Sequence, residues 1–293
     1  MTAYVFPGQG AQFPGMGKDL FDLSEHAKSL FRQADDVLGY SLSDVMFNGS
    51  EEDLRQTRIT QPAIFVHSTT AFLSAEEPQE PDAVAGHSLG EFSALVAAGA
   101  IAFPDALRLV SQRAQAMQDA ADGQAGTMAA VLGLDDEIIE SACAEISDVV
   151  VPANYNSPGQ LVISGSLEGI ETATRVLTDL GAKRVVALNV GGAFHSPLME
   201  PAREALREAI EATRVRPPGC EVYQNVDAAA SVAPEEIKRK LIAQLTAPVR
   251  WTQTVQNMRA AGVDRFVEVG GKGKILAGLI KKVDRSIEVS QLS

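Results

Sequence analysis

Ala85-Gly86-His87-Ser88-Leu89-Gly90-Glu91 is the stretch that says most about this chain. It fits the Gly-x-Ser-x-Gly nucleophile elbow, in which a strand turns sharply into a helix and presents the serine hydroxyl to a substrate. Glycine suits positions 86 and 90, because a side chain two residues from the serine would collide with the neighbouring strand or helix. Ser88 is therefore the candidate nucleophile.

The residues around the elbow support this interpretation. Residues 81–85 have the pattern of a short apolar strand, and residues 92–98 form an alanine-rich run closed by Gly99, as in a helix with a glycine C-cap. Gly-x-Ser-x-Gly is also a loose pattern that arises by chance, so the motif alone does not establish catalysis.

Composition and charge narrow the class of protein. The chain has 293 residues, 45% hydrophobic and 22% charged, which suits one large globular domain with a smaller insert. The net charge of −13 argues against nucleic-acid binding, which needs a basic face. Residues 1–6 lack the basic region of a signal peptide, and the longest uncharged apolar run, residues 92–104, is too short to cross a bilayer. We expect a cytoplasmic protein without a membrane partner.

The two cysteines, Cys143 and Cys220, lie in unrelated contexts without the spacing of metal ligands. We expect both to be reduced and structural, and we expect no metal site.

The order of the expected elements indicates an α/β fold with an insert. Residues 123–190 read as strand, helix, strand, strand, helix and strand, with the last strand over 182–190; this βαββαβ order is ferredoxin-like. Residues 154–160 are expected to form its central turn. The prediction is a hydrolase-like parallel-sheet domain, residues 1–122 and 191–293, that carries residues 123–190 as a small subdomain.

Three polar residues outside the elbow are candidates for the site. Gln9 lies between glycines just after the first strand, where it either contributes to a site at the sheet edge or is a surface glutamine in a turn. Arg113 lies on the apolar face of a helix, so it must reach water, pair with an acid or await an anionic ligand. His195 stands between a strand and a helix and is a candidate general base.

The other histidines are assigned lesser roles. His67 lies on an apolar helix that is expected to start after Pro62 and to cover residues 63–73, and it is expected to be packed. His26 lies on a polar helix and is expected to be solvated, and His87 is a neighbour of the site.

Six segments, spread over nearly the whole chain, form a pattern together. They are Phe6-Pro7-Gly8-Gln9-Gly10-Ala11-Gln12, Gly86-His87-Ser88-Leu89-Gly90-Glu91, Arg113, Asn156-Ser157-Pro158-Gly159-Gln160, Gly192-Ala193-Phe194-His195-Ser196 and Pro248-Val249-Arg250-Trp251. In this order they closely resemble the malonyl-CoA:acyl-carrier-protein transacylase family.

The resemblance implies roles for individual residues. Ser88 is acylated, and His195 acts as base and acid, oriented by the backbone carbonyl of Gln244. Gln9 and the backbone N–H of Leu89 form the oxyanion hole. The substrate-binding residues are Arg113, which binds the malonyl carboxylate, with Met117, Asn156 and Phe194.

The implied activity is that of an [acyl-carrier-protein] S-malonyltransferase in fatty-acid synthesis. A malonyl group moves from malonyl-CoA to the phosphopantetheine thiol of acyl carrier protein through a malonyl-serine, with no cofactor. The partners are malonyl-CoA and acyl carrier protein, and a monomer is expected. Two alternatives stay open: a serine (thio)esterase, against which Arg113 and the Gln9 loop argue, and an acyl-binding module without chemistry.

Two features concern the protein's surface and one loop. The family usually has Glu-Val-Gly-Pro-Gly where this chain has Glu268-Val269-Gly270-Gly271-Lys272-Gly273. Because carrier proteins are acidic, docking needs a local basic patch, and the candidates are Lys183 with Arg184, Lys238 to Lys240, and Lys272 with Lys274.

Overall fold

The computed structural model describes residues 1–77 and 79–292. The strands are β1 (Thr2–Phe6), β2 (Ala83–Gly86), β3 (Gly126–Leu132), β4 (Val150–Ser157), β5 (Gln160–Ser166), β6 (Arg184–Ala187), β7 (Glu221–Tyr223), β8 (Ala230–Ser231), β9 (Arg265–Val269) and β10 (Glu288–Leu292). The helices are α1 (Lys18–Leu23), α2 (Glu25–Leu38), α3 (Leu42–Asn48), α4 (Thr57–Leu73), α5 (Gly90–Ala97), α6 (Phe103–Gly123), α7 (Asp136–Glu145), α8 (Leu167–Asp179), α9 (Glu200–Ala212), α10 (Pro234–Gln244), α11 (Trp251–Ala260) and α12 (Ile275–Val283). Short 3₁₀ turns cover Asp53–Arg55 and Pro197–Met199.

The larger sheet has the order β10-β9-β1-β2-β7-β8 and is parallel apart from β8. Strands β1 and β2 are in register, with Phe6 opposite Gly86, so both end at one edge of the sheet. The backbone N–H of His87 donates to the Phe6 carbonyl at 2.9 Å. The glycine-rich loop after β1 and the elbow after β2 therefore lie side by side, as expected at the carboxyl edge of a parallel sheet.

The smaller sheet is antiparallel, with the order β4-β5-β3-β6. Helices α7 and α8 cover one face of it, where Ile139, Ile170 and Leu177 pack into a separate hydrophobic core. A strand order of this kind, in a βαββαβ unit, is that of a ferredoxin-like fold. Its strand β4 also bonds to the segment before α11, because the backbone N–H of Tyr155 donates to the Val249 carbonyl at 2.9 Å.

The α/β fold class predicted from the sequence is confirmed, but several boundaries are wrong. Residues 154–160 are not all turn: β4 continues to Ser157, and only Pro158 and Gly159 turn the chain into β5. Pairing along β5 outweighs the turn propensity of this polar segment. The strand expected over 182–190 ends at Ala187.

Two further differences concern helix α4 and the larger sheet. Helix α4 starts at Thr57 and contains Pro62, whereas the sequence suggested a start after this proline. Strands β8 and β10 were not predicted. Both lie at the edges of the sheet, and neither has a run of apolar residues that would indicate a strand. In the part of the chain that the structure describes, no helix is long and apolar enough to cross a membrane.

Candidate active site

The elbow places Ser88 in the conformation that the motif demands. The backbone φ of Ser88 is +53°, in the left-handed region that a residue other than glycine rarely adopts. A Cβ on Gly86 would lie 1.8 Å from the Gly90 carbonyl carbon, and one on Gly90 would lie 2.1 Å from the Phe6 carbonyl oxygen. Both glycines are therefore required by close contact between the strand, the helix and β1.

The hydroxyl of Ser88 lies within hydrogen-bond distance of a histidine. Ser88 Oγ is 2.7 Å from Nε2 of His195, a buried residue whose φ is also positive, at +58°. His195 Nδ1 lies 2.9 Å from the Gln244 carbonyl and 3.2 Å from the Ala247 carbonyl. Carbonyl oxygens only accept, so Nδ1 carries the proton and Nε2 is left to accept the proton of Ser88.

The surroundings keep His195 neutral. Burial, and to a lesser degree the positive charge of Arg113, lower the pKa of His195 to about 3. A neutral imidazole is the form that can take a proton from the serine, so His195 has the state and the geometry of a general base at neutral pH.

Arg113 is buried beside the same hydroxyl. Its side chain is 1% exposed, and its Nη2 donates to Ser88 Oγ at 3.1 Å and to Gln244 Oε1 at 3.1 Å, while Nη1 donates to Gln61 Oε1 at 2.6 Å. Among the described residues, none accepts a hydrogen bond from Nε. Burial lowers the pKa of Arg113 to about 10, so the guanidinium stays charged at neutral pH.

A cavity of about 390 Å³ opens in front of these groups. Its walls include all the remaining residues predicted for the site. These are Gln9, Leu89, Met117, Asn156 and Phe194. Residues from β3, β4 and β5 also contribute to the walls, so the cavity lies between the two sheets. Its volume lies within the range of small-molecule pockets.

The sequence model of the acyl transferase domain matches residues 3–292. The chain belongs to the acyl transferase family. The malonyl CoA-acyl carrier protein transacylase of Bacillus subtilis (strain 168) is 43% identical over 298 residues, covering 99% of this chain and 93% of the relative. The protein of the same name from Staphylococcus aureus (strain COL) is 40% identical over 294 residues, covering 99% and 95%.

Solved structures of other acyl transferases have the same fold. The acyl-carrier-protein S-malonyltransferase of Burkholderia pseudomallei 1710b superposes with a TM-score of 0.95 at 42% identity, covering 99% of this chain and 95% of that one. PlMCAT, a malonyl-transacylase solved with the type II polyketide synthase acyl-carrier protein AntF, has a TM-score of 0.95 at 40% identity, covering 99% and 95%. The family resemblance inferred from the sequence is confirmed.

The histidines of this acyl transferase differ in their surroundings. His87 Nε2 donates to Asn156 Oδ1 at 2.8 Å, which joins the elbow to β4. His67 is buried, accepts the backbone N–H of Gly271 at 3.0 Å and has a pKa lowered by burial to about 4, so it packs as expected. His26 is exposed on α2.

The sequence did not point to four polar side chains that support the site, and of Gln244 it named only the backbone carbonyl. Gln61 holds Arg113, and the side chains of Glu91, Asn225 and Gln244 form a buried network under Ser88. Burial raises the pKa of Glu91 to about 8, while hydrogen bonds from Asn225 and Gln244 and the charge of Arg113 oppose this rise. Glu91 belongs to the elbow motif itself. An acidic residue within an apolar helix was the one feature of the sequence that could have indicated this buried network.

One of the basic segments proposed for docking has to be corrected. Lys240 is only 2% exposed and its Nζ pairs with Asp227 at 2.8 Å and Glu236 at 3.1 Å, so it is not part of an accessible patch. The helical repeat turns this lysine inward. Lys183 with Arg184, and Lys272 with Lys274, are exposed. Lys274 directly precedes Ile275, which lines the cavity.

The glycine-rich loop that departs from the family pattern is well anchored. Gly270, Gly271 and Gly273 have φ of +74°, +69° and +70°, a conformation that proline cannot adopt. The backbone N–H of Gly271 donates to His67, and that of Lys272 donates to the Ala11 carbonyl at 3.1 Å. The loop thus adjoins the strand-end loop that carries Gln9.

The described residues, 1–77 and 79–292, hold no group of three His, Cys, Asp or Glu side chains suited to a metal ion. Cys143 and Cys220 are free, and burial raises the pKa of each thiol to about 11.

Proposed function

We propose that this acyl transferase moves a malonyl group from malonyl-CoA to the phosphopantetheine thiol of an acyl carrier protein, through a malonyl ester on Ser88. The observation that carries the proposal is the position of Arg113: a buried, charged guanidinium 3.1 Å from the hydroxyl of Ser88. A buried cation without a matching acid in direct contact is costly unless an anion completes it. The free carboxylate of a malonyl group is such an anion, and an acetyl group has none.

The first half-reaction loads the serine. His195 Nε2 takes the hydroxyl proton as Ser88 Oγ bonds to the thioester carbonyl carbon, and negative charge collects on the carbonyl oxygen. Gln9 and the backbone N–H of Leu89 are proposed to donate to that oxygen. When the C–S bond breaks, the sulfur leaves with the proton from His195 as CoA-SH, and a malonyl-Ser88 ester remains.

The second half-reaction is the reverse with a different thiol. The carrier thiol loses its proton to His195 and attacks the ester carbonyl, and Ser88 Oγ leaves with that proton. One thioester replaces another of similar energy, so we propose that neither a metal nor a cofactor takes part.

The division of the chain and its setting are further proposals. We propose that residues 123–190 act as a small subdomain on a large one built from 1–122 and 191–293, which is supported by the separate antiparallel sheet. Two free cysteines support a reducing cytoplasmic setting. We also propose a monomer that serves fatty-acid synthesis.

Intact-protein mass spectrometry tests the activity. After mixing with malonyl-CoA we expect a malonyl-sized adduct on the wild-type protein, none on Ser88→Ala, and little with acetyl-CoA. Addition of holo acyl carrier protein should remove the adduct and label the carrier. Release of free malonate at the same rate without carrier would show a thioesterase instead, and neither adduct nor turnover would show a binding module.

A further inference from the structure

The backbone of Ser88 is held by side chains on both of its polar groups. Asn225 Oδ1 accepts the backbone N–H of Ser88 at 2.7 Å, and Gln244 Nε2 donates to the Ser88 carbonyl at 2.9 Å. Asn225 Nδ2 also donates to the Gly86 carbonyl at 2.6 Å. These bonds brace a residue whose positive φ is unfavourable in a free chain.

Both supporting residues converge on Glu91, which is three residues after the nucleophile and 1% exposed. Glu91 Oε1 accepts the backbone N–H of Asn225 at 3.0 Å, and Glu91 Oε2 accepts from Gln244 Nε2. One carboxyl group thus holds both residues that hold Ser88.

The direction of each hydrogen bond follows from groups that can only donate. Arg113 has no acceptor atom, so the oxygen of the Gln244 amide faces Arg113 and its nitrogen faces Glu91. The backbone N–H of Asn225 likewise only donates. Both oxygens of Glu91 therefore accept, which is the pattern of an ionised carboxylate.

Gln244 also connects this network to the other reacting groups. Its side-chain oxygen accepts from Arg113, and its backbone carbonyl accepts the proton on His195 Nδ1 at 2.9 Å. A shift of Gln244 would consequently disturb the nucleophile, the base and the guanidinium together.

We propose that Glu91 is a positioning residue for the acyl transfer: its carboxylate fixes the strained backbone of Ser88 through Gln244 and Asn225. This inference rests on the proposed function. An amide at position 91 has the same shape but turns an NH₂ donor toward a donor, either Gln244 Nε2 or the N–H of Asn225. The conservative substitution Glu91→Gln therefore removes one of the two hydrogen bonds that the carboxylate oxygens accept, without creating a cavity.

The first test is the single-turnover rate of malonyl loading, measured at pH 9 by intact mass. We expect Glu91→Gln to lower the maximal rate by about tenfold to a hundredfold, while the malonyl-CoA concentration at half-maximal rate changes less than about twofold. Labelling of Ser88 by a small fluorophosphonate should slow by a similar factor. Both assays are run well below the melting temperature of each variant.

Glu268→Gln is the matched control. Glu268 is another glutamate 1% exposed, and its carboxylate accepts the backbone N–H groups of Ile275, Leu276 and Ala277 at the start of α12. This variant should lower stability but leave fluorophosphonate labelling of Ser88 unchanged. Equal slowing by both variants would show that any buried glutamate matters only for the fold, and would overturn the proposal.

A pH profile and a double variant distinguish positioning from a general structural role. The charged groups that act on Glu91 are Arg113 on α6 and Asp227 after β7. Wild-type loading should rise with pH as Glu91 ionises, near pH 8, and Glu91→Gln should lack this rise. In a Gln244→Met background, Glu91→Gln should slow malonyl loading by a much smaller factor than it does in the wild-type protein.

The outcomes separate this inference from the proposed function. No malonyl adduct on the wild-type protein would contradict the function itself. If the wild-type protein loads normally, three results would each overturn the role of Glu91 alone. Glu91→Gln could load at the wild-type rate, or it could leave the pH profile unchanged. The effects of Glu91→Gln and Gln244→Met on the loading rate could also simply multiply.

Discussion

Replacing Arg113 with alanine should change which thioester this acyl transferase accepts more than it changes the chemistry. The guanidinium is 1% exposed, so water does not take its place freely, and its fork geometry suits a carboxylate. Two charge-assisted hydrogen bonds to the malonyl carboxylate, at about 1.5–3 kcal/mol each, amount to about 3–6 kcal/mol. The preference for malonyl-CoA over acetyl-CoA should therefore fall by about 10²- to 10⁴-fold.

The ratio of the two substrates is the quantity to measure. Arg113→Ala also leaves Gln61 Oε1 and Gln244 Oε1 without their donor, and it removes a contact to Ser88 Oγ. Those losses affect malonyl and acetyl transfer alike, so they cancel in the ratio of kcat/KM values.

Single-turnover loading from each CoA thioester gives this ratio for wild type, Arg113→Ala and Arg113→Lys. Lysine keeps the charge but not the two-pronged geometry, so its ratio should lie between the other two. If Arg113→Ala slows both substrates by the same factor, Arg113 serves Ser88 and not the malonyl carboxylate, and the reasoning is refuted.

Three further predictions concern the base, the oxyanion hole and the docking surface. His195 has a pKa of about 3 in the folded state, below the value of about 6.5 in an unfolded chain. Between these two pH values the unfolded state binds one more proton than the folded state. The free energy of unfolding should therefore fall as pH falls from about 6.5 to 3. His195→Gln should flatten this part of the stability curve, measured by urea unfolding, by up to about 1.4 kcal/mol per pH unit; an unchanged slope would contradict a buried neutral histidine. Gln9→Ala should slow malonyl loading by about 100- to 1000-fold with little change in malonyl-CoA binding, and a rate within threefold of wild type would remove Gln9 from the oxyanion hole. Lys272→Glu with Lys274→Glu should raise the KM for the carrier protein several-fold at low salt and leave malonyl-CoA loading unchanged. A KM for the carrier protein that stays at the wild-type value would remove the Lys272 loop from the interface.

Local signals in the sequence predicted the parts of the fold that local physics decides. Strand β2 and helix α5 lie where the sequence predicted a strand before the elbow and a helix after it, and Ser24 caps α2 by accepting the N–H of Ala27 at 3.2 Å. The elbow follows from two glycines whose absent side chains make room for neighbouring backbone. In each of these places the residue type alone restricts the conformation.

Contacts between distant segments decided the rest. Asn154 and Tyr155 were expected in a turn, yet they lie in β4 because β5 and Val249 pair with them. Strand β10 is a partly polar edge strand that only its parallel partner β9 defines.

The candidate site divides in the same way. The residues that the family pattern implied line the cavity at Ser88, apart from Gln244, whose backbone carbonyl accepts from His195. The pattern did not name other lining residues, such as Met128, Val162 and Leu188, or the side chains behind Ser88. Asn225 is 137 positions and Gln244 is 156 positions from Ser88 in the chain, and no periodicity connects them to the elbow. Lys240 shows the opposite case: it directly follows Lys238 and Arg239 in the sequence, yet it is buried and does not share a surface with them.

The fate of purified malonyl-enzyme is the measurement that tests acyl transfer most directly. Wild-type protein is loaded with malonyl-CoA, freed of CoA on a desalting column and divided between buffer alone and buffer with holo acyl carrier protein. Intact mass then follows the protein and the carrier over time. We expect the malonyl-protein to persist in buffer and to pass its malonyl group to the carrier within the first turnovers. Loss of malonate to water at the same rate in both samples, with no labelled carrier, would contradict a transferase.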